Sequence, residues 1–172
     1  MVPVLEDLYR ELHENGNNPL VGVRALFLYP LNALINSQRE RLDAWTRGFG
    51  TGIRYCLYNG NTENLHASVK SEQAKRPNEV LSREKMREEP APILVTNGTM
   101  LEYMMVRQVD APIIQQKKKQ KSLRWIVLDE AHHAAAASYR NIIITIKKYV
   151  PMVDILGLTA TPYRTAKSEQ GS

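Results

Sequence analysis

The chain of 172 residues has one cysteine, Cys56, so an internal disulfide is excluded. A lone cysteine inside an apolar run is typical of a small core residue in a protein from a reducing compartment. No apolar run approaches the roughly 20 residues that a membrane-spanning helix needs. The acidic residues Glu6, Asp7 and Glu11 near the start do not fit a secretory signal peptide. These absences predict a cytoplasmic protein that has no membrane partner.

Aromatic residues make up 7% of the chain, but 43% hydrophobic and 24% charged residues are ordinary for a soluble globular domain. The length fits one domain with a sizeable core. The net charge of +5 suits a phosphate-bearing partner and is too small to identify one. Part of this charge lies in the basic run at residues 117–121, which could contact nucleic acid or form a solvated surface loop.

Short apolar runs alternate along the chain with segments of helical periodicity. Strands are predicted at 23–28, 53–57, 93–96, 126–128 and 155–158, and helices at 3–14, 33–45, 99–107 and 134–149. The polar residues 61–91 are predicted to form a loop and a helix. This alternation predicts an α/β fold with a mostly parallel sheet covered by helices on both faces. Such sheets bind their ligands where the strands end.

Two adjacent carboxylates, Asp129 and Glu130, directly follow the apolar run 126–128. Carboxylates at the carboxyl end of a strand suit a nucleotide site. Asp129 would lie on the Mg²⁺ side and hold the ion indirectly, because Mg²⁺ prefers oxygen ligands and keeps several waters. Glu130 is placed to accept a proton from an attacking water. The alternative is a helix start, where carboxylates are also favourable.

Four segments of the chain resemble motifs of the superfamily 2 helicases, the DEAD/DEAH-box nucleic-acid translocases. Asp129–His132 reads Asp-Glu-Ala-His and resembles motif II, and Leu158–Pro162 reads Leu-Thr-Ala-Thr-Pro and resembles motif III. Residues 25–34 and 93–102 resemble motifs Ia and Ib, in the expected order. The resemblance implies the first RecA-like motor domain of such an enzyme.

In this family the intact protein uses ATP and Mg²⁺. The resemblance implies that Asp129, Glu130 and His132 are catalytic, with His132 coupling the nucleotide site to motif III. It further implies that Thr159 and Thr161, together with the two carboxylates, contact the nucleotide and link hydrolysis to domain movement. The alternative for the two threonines is a plain turn between a strand and a loop.

The motif Ia and Ib segments are expected to contact nucleic acid, with DNA favoured over RNA. Amides at helix starts and short hydroxyl or amide side chains suit phosphate oxygens. The expected contact residues are Pro30, Asn32, Gln38, Thr96, Asn97 and Thr99. Each could instead be an ordinary cap or a solvated helix residue. Arg24, Arg39 and Arg107 could add positive charge to this surface.

The sequence contains no Gly-x-x-x-x-Gly-Lys-Ser/Thr, and the glycine-rich Gly48–Gly52 has no lysine after it. The resemblance therefore implies a partial domain over residues 1–164, starting past the phosphate-binding loop, with a frayed tail at 165–172. A second RecA-like domain is expected to be missing. The missing central strand that carries the loop is expected either to leave a gap in the sheet or to allow the sheet to close over the gap by re-pairing. The chain is interpreted as a fragment of an ATP-dependent helicase, inactive alone. The alternatives are a non-enzymatic nucleic-acid-binding remnant and a nonfunctional gene fragment.

Overall fold

In the part of the chain that the structure describes, five parallel strands form one sheet. The structure, a computed structural model, describes residues 2–30, 32–114, 123–129 and 136–158. The strands are β1 Ala25–Leu28, β2 Tyr55–Leu57, β3 Ile93–Thr96, β4 Trp125–Asp129 and β5 Asp154–Leu158. These described strands lie in the order β2-β3-β1-β4-β5, and each pairing between neighbours is parallel, as the alternating sequence pattern predicted.

Helices cover both faces of this sheet. They are α1 Val2–Glu14, α2 Asn32–Ser37, α3 Arg39–Thr46, α4 His66–Lys75, α5 Arg83–Glu88, α6 Gly98–Val106, α7 Ala111–Ile114 and α8 Ala136–Tyr149. Buried side chains of α1, α2 and α3 pack on one face, and those of α5, α6, α7 and α8 pack on the other. In the part of the chain that the structure describes, no helix has the length and apolar character needed to cross a membrane.

Both faces of the central strands are buried because helices lie on each side. In β1, Ala25 and Phe27 join the core beneath α1, whereas Leu26 and Leu28 join the core beneath α6 and α8. Continuous apolar runs are what a doubly covered parallel sheet requires. The same alternation extends through β3, so successive residues of these strands point to opposite layers.

The predicted helix at 33–45 is wrong in one respect, because it is two helices with a break at Gln38. The backbone N–H of Gln38 donates to Ile35 O, three residues earlier, at 3.1 Å, which is the 3₁₀ pattern and not the α-helical one. The Ser37 hydroxyl also donates to Leu34 O at 2.8 Å, which competes with the regular ladder. The polar stretch 61–91 likewise holds two helices, α4 and α5, where one was predicted.

The expected gap in the middle of the sheet is absent among the described strands, since each pairs with its neighbour in continuous register. The strand β5 lies at one edge and is paired with β4 alone in the described part of the chain. Ile155 of β5 is 40% exposed. The least covered part of the sheet is therefore its outer edge.

A buried ion-pair cluster fixes α1 to the amino ends of β1 and β4. Glu11 is 5% exposed and lies 2.9 Å from Arg24 and 2.6 Å from Arg124. Asp7 accepts hydrogen bonds from Arg124 and from the Trp125 indole, both at 2.8 Å. Arg24 is itself 5% exposed, so it belongs to this cluster and is not available to a nucleic acid.

Candidate functional site at the carboxyl ends of the strands

The structure brings the segments that follow β1, β3 and β4 to one edge of the sheet. Leu28, at the end of β1, is in register with Thr96 of β3 and with Leu128 of β4. The segments that come next therefore lie side by side: Tyr29 and Pro30 after β1, Asn97 after β3 and Asp129 at the end of β4. These are the motif Ia, Ib and II segments.

Asp129 is the last residue of β4 and is partly exposed. Its carboxylate acts on Tyr29, which follows the neighbouring strand β1. Burial, helped by the charge of Asp129, raises the pKa of Tyr29 to about 12. The Tyr29 phenol therefore stays neutral at physiological pH, and the two side chains lie at the same end of the sheet.

The other nucleotide-site candidates, Glu130, His132, Thr159 and Thr161, lie outside the described residues, as does the predicted tail at 165–172. Their roles stay predictions. Asp129 offers the carboxylate oxygen that Mg²⁺ takes, usually from one or two side chains. Within the described ranges no group of three or more His, Cys, Asp or Glu residues could enclose a metal ion. Asp129 thus fits as one carboxylate ligand, direct or through water, of a bound Mg²⁺.

Asn97 joins the motif Ib segment to the motif Ia segment. It precedes α6 in an extended conformation, and its Oδ1 accepts a hydrogen bond from the Met100 amide at 2.7 Å. This is an ordinary helix cap. Its Nδ2 then donates to Oδ1 of Asn32, the first residue of α2. Both groups of the Asn97 amide are used, and the exposed Asn32 is held in place by it.

Thr96 is placed differently from Asn97, although the two are adjacent. Its side chain is fully buried, and its hydroxyl donates to Tyr58 O at 2.6 Å, which ties the end of β3 to the end of β2. Thr99 is exposed in the first turn of α6, and Pro30 is partly buried. Gln38 directly follows the last residue of α2, and its side-chain amide donates to the Ser37 hydroxyl at 3.3 Å. The structure therefore groups Asn32, Asn97 and Thr99 at the surface, with Thr96 beneath them.

Sequence reasoning missed the segment after β2, which extends the same edge beyond β3. Asn59 is 3% exposed, and its Nδ2 lies 3.4 Å from Oδ1 of Asn36. Arg83 of α5 donates to Asn59 O at 2.9 Å, and its guanidinium lies 5.3 Å from the centre of the Tyr58 ring. A polar residue directly after a buried strand was the available signal, since it is the same signal that singled out Asn97.

Two of the three arginines suggested for this surface remain partly exposed. Arg39 lies 3.0 Å from the buried Glu79, and its side chain is 42% exposed. Arg107 lies 3.8 Å from the buried Asp110, and its side chain is 46% exposed. Each shares its carboxylate with a second arginine, Arg76 at Glu79 and Arg87 at Asp110, so each of these two groups keeps a net positive charge.

The sequence matches the DEAD/DEAH box helicase family over residues 1–168. The chain belongs to this family. Membership confirms the resemblance drawn from the four motif-like segments, and the parallel sheet with helices on both faces confirms the RecA-like α/β fold. The carboxyl edge described above is thus the edge of a helicase domain.

Similarity to individual proteins is distant but covers nearly the whole domain. The Druantia protein DruE of Escherichia coli (strain UMEA 4076-1) is 25% identical over 162 residues, which are 89% of this chain and 8% of DruE. The crystal structure of the DUF1998 helicase MrfA has a TM-score of 0.57 and 20% identity, over 96% of this chain and 24% of MrfA. The yeast DEAD-box splicing factor Prp28 has a TM-score of 0.55 and 15% identity, over 98% of this chain and 37% of Prp28. The helicase domain therefore spans a small part of each relative's length.

Proposed function

We propose that the domain holds the phosphate backbone of one nucleic-acid strand along the carboxyl ends of β1 and β3, as the first motor domain of an ATP-dependent helicase or translocase. The observation that carries this proposal is the hydrogen bond between Asn97 and Asn32, which joins the motif Ib and Ia segments at the surface. Amide side chains are among the groups that donate hydrogen bonds to phosphate oxygens, and such contacts position a strand without reading its sequence.

DNA is the favoured strand, and ATP is the favoured nucleotide. MrfA, which shares the fold, has been crystallised bound to DNA and bound to DNA with AMPPNP. In this chain Asp129 would hold water molecules of a nucleotide-bound Mg²⁺, and Glu130 would accept the proton of the attacking water. When bound, Mg²⁺-ATP supplies the phosphoryl group whose transfer drives movement.

The 172-residue chain alone is expected to hydrolyse no significant ATP. It contains no Gly-x-x-x-x-Gly-Lys-Ser/Thr, the loop whose amides and lysine hold the β- and γ-phosphates. In a longer protein that supplies this loop, Glu130→Gln is expected to lower turnover by about 10²–10⁴-fold, because a positioned proton acceptor is lost. ATP affinity should be unchanged. Turnover near that of the unchanged protein would reject Glu130 as the base.

Nucleic-acid binding can be tested on the chain itself by fluorescence anisotropy with labelled oligonucleotides at low and moderate salt. The critical variant is Asn32→Asp, which keeps the oxygen that accepts from Asn97 and replaces the outward donor. The matched control is Asn141→Asp, which makes the same charge change on the exposed face of α8.

We expect weak binding that falls with added salt, since phosphate contacts release counterions. Affinity should be similar for different sequences and lower for Asn32→Asp than for Asn141→Asp. Matched DNA and RNA oligonucleotides decide the strand type. Absence of binding at low salt, or equal affinity of the two variants, would refute the proposed surface.

A further inference from the structure

The helix α2 carries two exposed asparagines, Asn32 and Asn36, four residues apart. Residues at this spacing lie on the same side of a helix, about 5–6 Å apart between Cβ atoms. Asn32 belongs to the surface proposed above. Asn36 has been assigned no role by the motif pattern.

The two asparagines are held in the same way by two others. Asn97 donates its amide hydrogen to Oδ1 of Asn32, and Asn59 donates to Oδ1 of Asn36 at 3.4 Å. The side-chain amides of Asn97 and Asn59 are fixed in orientation, because their oxygens also accept hydrogen bonds. The Met100 amide donates to Asn97 Oδ1 at 2.7 Å, and the Asn61 amide donates to Asn59 Oδ1 at 2.8 Å.

The orientation of the exposed pair follows from this arrangement. A side-chain amide has one oxygen and one NH₂ group. Because the oxygens of Asn32 and Asn36 accept from Asn97 and Asn59, their NH₂ groups are left as donors. Neither NH₂ group has an acceptor within hydrogen-bond distance in the part of the chain that the structure describes.

Asn59 is a firm support for Asn36. It is 3% exposed. Its backbone N–H donates to the Thr62 hydroxyl at 2.9 Å, and its backbone carbonyl accepts from Arg83 at 2.9 Å. The partly buried guanidinium of Arg83, which donates to Asn59 O, also brings a positive charge to this end of the surface, and a positive charge favours a nearby anion.

We infer that Asn36 is a second phosphate-contacting residue, with Asn59 as its positioning residue, so that the strand bound at Asn32 continues along α2 towards the end of β2. This inference rests on the proposed function, because it needs a nucleic acid at Asn32. It adds a path for the bound strand across the surface and a contact outside the Asn32–Asn97 pair that joins motifs Ia and Ib.

The test uses the whole 172-residue chain, the same labelled oligonucleotides, and Asn36→Asp. This variant keeps the oxygen that accepts from Asn59, removes the outward donor, and changes an exposed side chain, so the fold should be retained. Relative to Asn141→Asp, which carries the same charge, affinity should fall by about 10- to 100-fold, as expected for losing a hydrogen bond to a charged group.

The positioning role of Asn59 is tested by a double-mutant cycle. Asn59→Ala should weaken binding while Asn36→Asp in that background costs little more, since the two changes remove one contact. Equal affinity of Asn36→Asp and Asn141→Asp, with Asn32→Asp still weakened, would overturn the inference and leave the proposed function intact. Failure of the unchanged chain to bind would overturn both.

Discussion

Replacing Glu11 by glutamine changes one carboxylate oxygen to an amide nitrogen in the middle of the buried ion-pair cluster. Glu11 accepts from Arg24 Nε at 3.1 Å and Nη2 at 2.9 Å, and from Arg124 Nη2 at 2.6 Å. Two guanidinium groups thus depend on this carboxylate. Glutamine has nearly the same shape, so any loss of stability comes from charge and hydrogen bonding and not from a cavity.

The magnitude follows from the burial of the pair. Removing one partner of a buried ion pair costs about 3–5 kcal/mol, because the remaining charge is left uncompensated. Asp7 still pairs with Arg124, and glutamine keeps one oxygen, so we expect the lower end, about 3 kcal/mol. This is a large part of the about 5–15 kcal/mol that typically separates the folded and unfolded states.

The free energy of unfolding can be measured by urea denaturation followed by circular dichroism. Glu6→Gln is the matched control, since Glu6 is an exposed carboxylate on the same helix, and it should stay within about 0.5 kcal/mol of the unchanged chain. Arg24→Met added to Glu11→Gln should recover stability, because it removes the charge left unpaired. A loss below about 1 kcal/mol for Glu11→Gln, as for a surface pair, would refute this reasoning.

Three further predictions concern buried or partly buried ionisable side chains. Burial opposes ionisation of Glu11 and Asp7. Hydrogen bonds from Arg24 and Arg124 to Glu11 outweigh this effect, as do those from Trp125 and Arg124 to Asp7. Both pKa values are therefore held below their ordinary range. Stability should therefore be full above about pH 5 and fall as the pH drops towards those lowered values, less steeply in Glu11→Gln; equal slopes in acid denaturation would contradict this. Asp110→Asn should lower stability by about 3 kcal/mol in urea denaturation, because a fully buried carboxylate accepts from Tyr58 at 2.8 Å and Arg87 at 3.0 Å; an unchanged midpoint would count against it. Burial raises the pKa of the Cys56 thiol, so a thiol reagent should react with it in urea and not in the native protein.

The strands β1, β2, β3 and β4 could be predicted from sequence because each is a short, mostly buried apolar run. The prediction for β3, 93–96, coincides with the strand, and the predicted start of β1 differs by two residues. The helix α4 could not be found in this way, because it has no fully buried side chain and therefore no apolar face to give a period. The break at Gln38 arises from local hydrogen bonds, which leave the apolar spacing almost unchanged.

Site residues could be predicted where they follow the end of a strand. They could not be predicted within a strand, because there the direction of the side chain decides whether it is exposed. Leu94 faces the core beneath α6, so Thr96, two residues later, faces the same way and is buried under the end of β2. Asn97 follows the strand and is released from this alternation. Asn59 needed the strand order as well, because only the position of β2 beside β3 brings it to the same surface.

The parallel sheet separates polar and charged residues into two edges according to their place before or after a strand. Arg24 and Arg124 directly precede β1 and β4, so they lie at the amino edge, where the carboxylates of Glu11 and Asp7 balance their charge. Asn32 and Asn97 follow β1 and β3 and offer hydrogen-bond groups at the opposite edge. Because the two edges share no contact among these residues, Glu11→Gln should lower the stability of the fold without weakening nucleic-acid binding by the molecules that remain folded. A cluster near motif Ia in sequence can thus be remote from it in function.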